Sequence, residues 1–219
     1  MSGSETPGGL DDRLAFGADD VEIVERRTAH AGFFRMDVLR LRHRLFEGGW
    51  SRVMERELFV RGPAVVLVPY DPRLDELVMI EQFRVGALDV GPSPWQMEFV
   101  AGIAEAGETM EAVARREAME EAGLEVGEIV PVHRYQVSPG GNTEEIVVLC
   151  GEVDASGAGG VHGVDHEHED IRVHRVPFAT ACAALDGGEL RNAAAIVGVQ
   201  WLALHREALR RHWHRAGPS

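Results

Sequence analysis

The chain has 219 residues and a formal net charge of −14, from 22 basic and 36 acidic side chains. That negative balance argues against a nucleic-acid partner, because phosphate binding needs clustered positive charge, and all the fixed cations are arginine. Hydrophobic residues make up 45 % of the sequence, enough for a core, yet no apolar run reaches the length of a membrane-spanning helix.

In chain order, residues 1–15 lack the basic and apolar regions of a signal peptide and read as a disordered leader. Residues 16–60 form an N-terminal antiparallel β-sheet domain. Its segments VEIVERRTAH, FFRMDVLRLRHRL and SRVMERELFV alternate with a period of two, and Gly48-Gly49 marks the turn between the last two. Residues 61–215 form a second domain. Here the strand-like AVVLVPY, LVMIEQF, IVPVHRYQV and EEIVVLCGEV surround one helix, which predicts an α+β fold or a mixed α/β/α sandwich. A short helix over 178–185 is broken by Asp186-Gly187-Gly188. A long helix follows Leu190, with Ala194, Val197, Trp201 and Leu204 on its apolar face. Cys150 and Cys182 lie far apart in apolar contexts, which points to reduced thiols and a cytoplasmic protein.

The helix among those strands is the informative segment. Residues 102–124 read GIAEAGETMEAVARREAMEEAGL. No Gly or Pro occurs from Glu108 to Ala122; Thr109 is placed to cap the helix and Gly123 to end it. Glu117 and Glu121 then share a face, with Glu120 beside them. Like charges at that spacing repel and call for a cation. Mg²⁺ suits them, since it takes hard oxygen ligands from one or two carboxylates, water and substrate phosphates. Arg116 is placed to pin one carboxylate. Most acidic runs are solvated helix faces, and the spacing of the whole segment is what favours the metal.

That spacing, Gly102-x5-Glu108-x7-Arg116-Glu117-Ala118-x-Glu120-Glu121-x-Gly123-Leu124, matches the Nudix box at every fixed position. With SPGGNTEE and HGVDHEHEDIRV downstream, the chain resembles the ADP-ribose pyrophosphatase branch of the Nudix hydrolases, from about Phe16 to Trp213. The position of Pro139 beyond the box is the marker that resembles ADP-ribose enzymes. The resemblance implies a Nudix fold and hydrolysis of the diphosphate bond of ADP-ribose to AMP and ribose 5-phosphate. It implies two or more Mg²⁺ or Mn²⁺ ions, held by the Ala101 carbonyl, Glu117, Glu121 and Glu169, with Glu120 in support. Glu167 matches the general base. Arg84, Ile103, Ser138 and Glu144 match substrate contacts, and Phe33, Phe34 and Arg56 match contacts made across a homodimer.

Several of these residues have plainer readings. Arg84 and Arg56 are also compatible with solvated strand positions. Phe33 and Phe34, as adjacent strand residues, point to opposite faces, so that one ring at most meets the base. The segment 138–141 is also a plain turn sequence. In the loop 162–174 the alternating histidines and acids suit a transition metal, but a solvated loop carrying Glu167 and Glu169 is the reading adopted. The alternative functions are cleavage of another nucleoside diphosphate sugar such as GDP-mannose, and a non-catalytic ADP-ribose sensor. A sensor is expected to lose box carboxylates, and none is lost here.

Overall fold

A computed structural model describes residues 9–105, 107–164 and 168–216. The chain divides into two compact units, one of Met1–Arg61 with Ser138–Thr143, the other of Gly62–Val137 with Glu144–Ser219.

The first unit is a three-stranded antiparallel sheet in the order β1 (Val21–Ala31), β2 (Arg35–His43), β3 (Met54–Val60). The two-residue alternation of the sequence produces it, with Gly48 and Gly49 at positive φ in the connection to β3. The central strand buries Asp37, which is 1 % exposed. Its carboxylate accepts hydrogen bonds from Arg26 Nε at 2.7 Å and Thr28 Oγ1 at 3.0 Å and pairs with Arg35 at 3.1 Å. Desolvation opposes ionisation, but these partners hold the Asp37 carboxyl below its usual range. The segment Ser138–Thr143 joins this unit: Phe59 N–H donates to Gly141 O at 2.8 Å and Thr143 N–H to Phe59 O at 3.1 Å. Of the expected leader, residues 1–8 lie outside the described residues, and Asp11–Arg13 form a single 3-10 turn.

Phe33 and Phe34 depart from expectation. They occupy the bend between β1 and β2, not a strand, so alternation does not separate them. Their rings meet edge to face at 4.7 Å. Phe34 continues onto Phe59 at 5.1 Å, while Phe33 is 90 % exposed.

The second unit is an α/β/α sandwich. Its strands are β4 (Ala64–Asp71), β5 (Glu76–Phe83), β6 (Trp95–Glu98), β7 (Val100–Ile103), β8 (Ile129–Gln136), β9 (Glu145–Glu152), β10 (Gly160–His162) and β11 (Ile171–Pro177). Its helices are α1 (Met110–Ala122), α2 (Phe178–Asp186) and α3 (Ala193–Ala216). The eight-stranded sheet runs β10-β11-β5-β4-β9-β8, with β4 and β9 parallel. β4 and β5 pair only at Tyr70↔Leu77 and Asp71↔Glu76. Beyond that they separate, β5 taking β6 and β4 taking β7 as partners. The separation places the start of the box, on β7, inside the sheet.

β4 is buried along its whole length, and its alternation feeds two cores. Val65 and Leu67 pack with Val113, Ala114 and Ala118 of α1. Val66, Val68 and Tyr70 pack with Ala195, Val199, Leu202 and Trp213 of α3. Each such aliphatic side chain contributes about 1.5–3 kcal/mol on burial.

α3 rests on the sheet through most of its expected apolar face: Ala194 is buried and Val197 and Trp201 pack against the core, and the contact extends to neighbouring positions. Ala195, Val199 and Leu202 are fully buried, whereas Leu204 is 83 % exposed. The determinant is Gly198, where an added Cβ would lie 2.6 Å from Val68 Cγ2 and 2.9 Å from Phe99 Cε2. The helix rests on the sheet at the residue with no side chain. The loop expected over 162–174 is also shorter, because β11 starts at Ile171, pairing with β10 at His162 and with β5 from Arg172 to Pro177.

Candidate active site

The carboxylate helix α1 forms as its sequence dictates. Thr109 caps it, Oγ1 accepting from Ala112 N–H at 3.2 Å, and Gly123 ends it in the left-handed region at φ 63°. Ala118 is fully buried against the sheet, which accounts for the small residue at that box position.

The same inward face carries a carboxylate. Glu121 is 2 % exposed, and Ala101 N–H on β7 donates to its Oε2 at 2.9 Å. One turn earlier, Glu117 lies against the backbone of Gly102: any Cβ at Gly102 would collide with the Glu117 carboxylate. Thus the first glycine and the second half of the box meet in space. Burial, then the charges of Glu117 and Glu169, push the Glu121 carboxyl up to about 8, against the Ala101 hydrogen bond and Arg84. Burial likewise raises Glu117 to about 7, with Arg116 opposing and Glu120 and Glu169 reinforcing the shift. Glu169 thus acts on both carboxyls, and Arg84 on that of Glu121.

Arg116 does more than pin a single carboxylate. Its Nη1 lies 2.9 Å from Glu117 and 3.0 Å from Glu120, and its Nε 3.6 Å from Glu108. Glu120, at 39 % side-chain exposure, turns toward this arginine, away from the inward face that carries Glu121. Arg84 directs Nε and Nη2 to Glu98 Oε2 at 3.0 and 2.8 Å. Burial opposes its charge, but Glu98 and then Glu121 and Glu169 hold its pKa above the usual value.

The donor set fits a hard divalent cation. Glu121 is buried without an ion-pair partner of its own among the described residues, and Glu117 beside it is partly buried against Arg116, an arrangement that protons or a metal would stabilise. Among the described residues no three His, Cys, Asp or Glu side chains are grouped as a preformed metal cage.

The other expected site residues are distributed as follows. Ile103 ends β7 and is 43 % exposed; Glu144 precedes β9 and is 8 % exposed. Phe33, Phe34, Arg56 and Ser138 belong to the first unit, where exposed Arg56 donates Nη1 to the Glu55 carbonyl at 2.8 Å. Glu167 and His166 lie outside the described residues. Glu169 is half-buried, accepting from Val164 N–H at 3.3 Å. Of the histidines considered for a metal, His162 bonds the Gly159 carbonyl at 2.9 Å, His174 bonds Glu81 at 3.0 Å and His168 is exposed. Sequence reasoning missed Glu98; an acid inside the otherwise apolar stretch MEFVAG was the available signal.

The NUDIX domain family model matches residues 60–217. The ADP-ribose pyrophosphatase of Escherichia coli is 50 % identical over 200 residues, covering 91 % of this chain and 96 % of that protein. The ADP-ribose pyrophosphatase of Haemophilus influenzae is 40 % identical over 204 residues, covering 92 % and 94 %. The GDP-mannose pyrophosphatase of an Enterobacter species is 33 % identical over 152 residues, covering 68 % and 78 %. A crystal structure of an ADP compounds hydrolase superposes with a TM-score of 0.66 at 21 % identity, covering 88 % of this chain and 96 % of that one, a likeness of fold. The box helix is therefore read in the context of a model that spans most of the chain, and this protein belongs to the NUDIX domain family.

Proposed function

We propose that this protein is a hydrolase of diphosphate bonds that cleaves ADP-ribose to AMP and ribose 5-phosphate, using Mg²⁺ or Mn²⁺, two or more ions per site. The observation that carries the reading is buried Glu121 with partly buried Glu117 one turn earlier on the same helix, Glu117 lying against Gly102 and Arg84 and Glu169 acting on the charge of Glu121. Relatives that share up to half their residues with this chain and bear the name ADP-ribose pyrophosphatase supply the substrate.

Glu117, Glu121, Glu169 and the Ala101 carbonyl would hold the cations, with Glu120 steadying Arg116 at the rim. When bound, the ions offset phosphate charge and lower the pKa of a coordinated water. Arg84 binds diphosphate oxygens and orients the substrate. Glu167 accepts a proton from the attacking water; the water oxygen bonds to phosphorus as the bridging P–O bond breaks, and the departing phosphate keeps the electron pair. Ser138, Glu144 and Ile103 contact the nucleotide. Phe33, Phe34 and Arg56 reach substrate across a homodimer, a role that the exposure of Phe33 and Arg56 favours. The unpaired cysteines, Cys150 and Cys182, suit the reducing cytoplasm.

A second substrate, GDP-mannose, is favoured only by relatives of lower identity and coverage. Turnover of ADP-ribose, GDP-mannose, NADH and diadenosine polyphosphates with Mg²⁺ tests the reading. The highest kcat/KM is expected for ADP-ribose, and a clear preference for any other would overturn the assignment.

A further inference from the structure

Arg84 and Glu98 support an inference that rests on the reading of Arg84 as a substrate contact and extends it. Arg84 directly follows β5, and Glu98 ends β6, the short strand paired with it. The register sets Ile80 opposite Glu98 and Phe83 opposite Trp95, so the two charged residues are held by one ladder. Glu98 is 5 % exposed, and a carboxylate so buried needs a partner. That partner is Arg84, whose Nε and Nη2 both donate to Glu98 Oε2.

A guanidinium has five N–H donors in a rigid plane. Glu98 takes two of them along one edge. Among the described residues the other three, on the Nη1/Nη2 edge, have no acceptor, and the side chain is 43 % exposed. That free edge has the fork geometry that matches two phosphate oxygens. Glu121 and Glu169 also act on the charge of Arg84. An unanchored arginine would be drawn to those carboxylates and away from the diphosphate. We propose that Glu98 is a positioning residue for diphosphate binding: it fixes the plane of Arg84 so that the free edge meets the substrate.

The test is a double-mutant cycle in the full-length protein with ADP-ribose and Mg²⁺. Arg84→Ala is expected to raise KM by about tenfold or more, the loss of a charge-assisted bidentate contact. Glu98→Gln, which keeps the shape and removes the charge, is expected to raise KM by about tenfold with kcat changed much less. In the Arg84→Ala background Glu98→Gln should have almost no further effect on KM. An equal effect of Glu98→Gln in both backgrounds, or a fall in kcat alone, overturns the positioning role while leaving Arg84 as a substrate contact. If Arg84→Ala leaves KM unchanged, the reading of Arg84 fails and the inference with it. Should Glu98→Gln not fold, Glu98→Asp in the same cycle reads the coupling: its shorter stem shifts the guanidinium, and the KM effect must again vanish without Arg84.

Discussion

The carboxylate of Glu117 occupies the space in which a side chain at Gly102 would lie. Gly102 opens the box and Glu117 stands in its second half, and their contact shows what the motif builds. The glycine supplies a bare stretch of strand against which a helix carboxylate can be buried. Gly102→Ala should therefore displace Glu117 while leaving the helix itself intact. The expected result is a loss of divalent-ion affinity of about 10- to 100-fold, comparable to disturbing a ligand's support. Mn²⁺ binding followed by electron paramagnetic resonance checks this, and unchanged affinity would contradict it.

The raised pKa values of Glu117 and Glu121 set the sign of a pH effect on the metal-free protein. Both carboxyls hold their protons more tightly when folded, at about 7 and 8, than at the ordinary value of 4.5. Their contribution to stability is complete below about pH 4.5 and is lost as the pH rises through 7 and 8. Mg²⁺ competes with those protons, so its stabilising effect should grow over the same window. Thermal unfolding with and without Mg²⁺ between pH 5.5 and about 8.5 should show a widening gap in Tm; a gap that narrows would be contrary evidence.

Gly198 gives a prediction in which two effects oppose each other. Alanine is favoured over glycine in a helix by about 1 kcal/mol. Here the new Cβ would sit 2.6 Å from Val68 and 2.9 Å from Phe99, and such overpacking costs about 1–3 kcal/mol. The contact should win, lowering Tm by a few degrees, on the order of 2–4 °C per kcal/mol for a domain of this size. An increase in Tm would place α3 farther from the sheet than described.

The homodimer proposal is tested by subunit complementation. Co-expressed Arg56→Ala and Glu121→Gln chains should be more active than either variant alone, because one site of the mixed dimer keeps both intact residues. Activity no higher than that of the separate variants would mean that Arg56 does not serve a partner's site.

The parts of this molecule that are local in sequence were legible there. Thr109 and Gly123 terminate α1 through their own chemistry, and the long strands β4 and β9 announce themselves by apolar content. Features that depend on distant partners were not. β6 and β7 have four residues each, too few for a period, and exist because β5 and β4 separate to receive them. The Arg84–Glu98 pair spans that same pairing and was hidden with it. Of the expected apolar face of α3 only Leu204 lies outside the contact, because the helix meets the sheet by close approach at Gly198, which hydrophobic periodicity does not mark. Phe33 and Phe34 lie in the bend that begins at Gly32, and their apolar character continues the alternation of β2 without marking where the strand starts.

The central claim is that Glu121 is buried to hold a divalent cation for diphosphate hydrolysis, at a cost to the stability of the metal-free protein. Glu121→Gln tests both halves in one preparation, by kcat for ADP-ribose with Mg²⁺ and by metal-free Tm at pH 8.5. Removing a ligand worth several kcal/mol of charge stabilisation should lower kcat by roughly 10²–10³-fold. The metal-free Tm should hold or rise, because a buried charge has been removed. Undiminished turnover, or a loss of turnover that follows only from unfolding, would contradict the account.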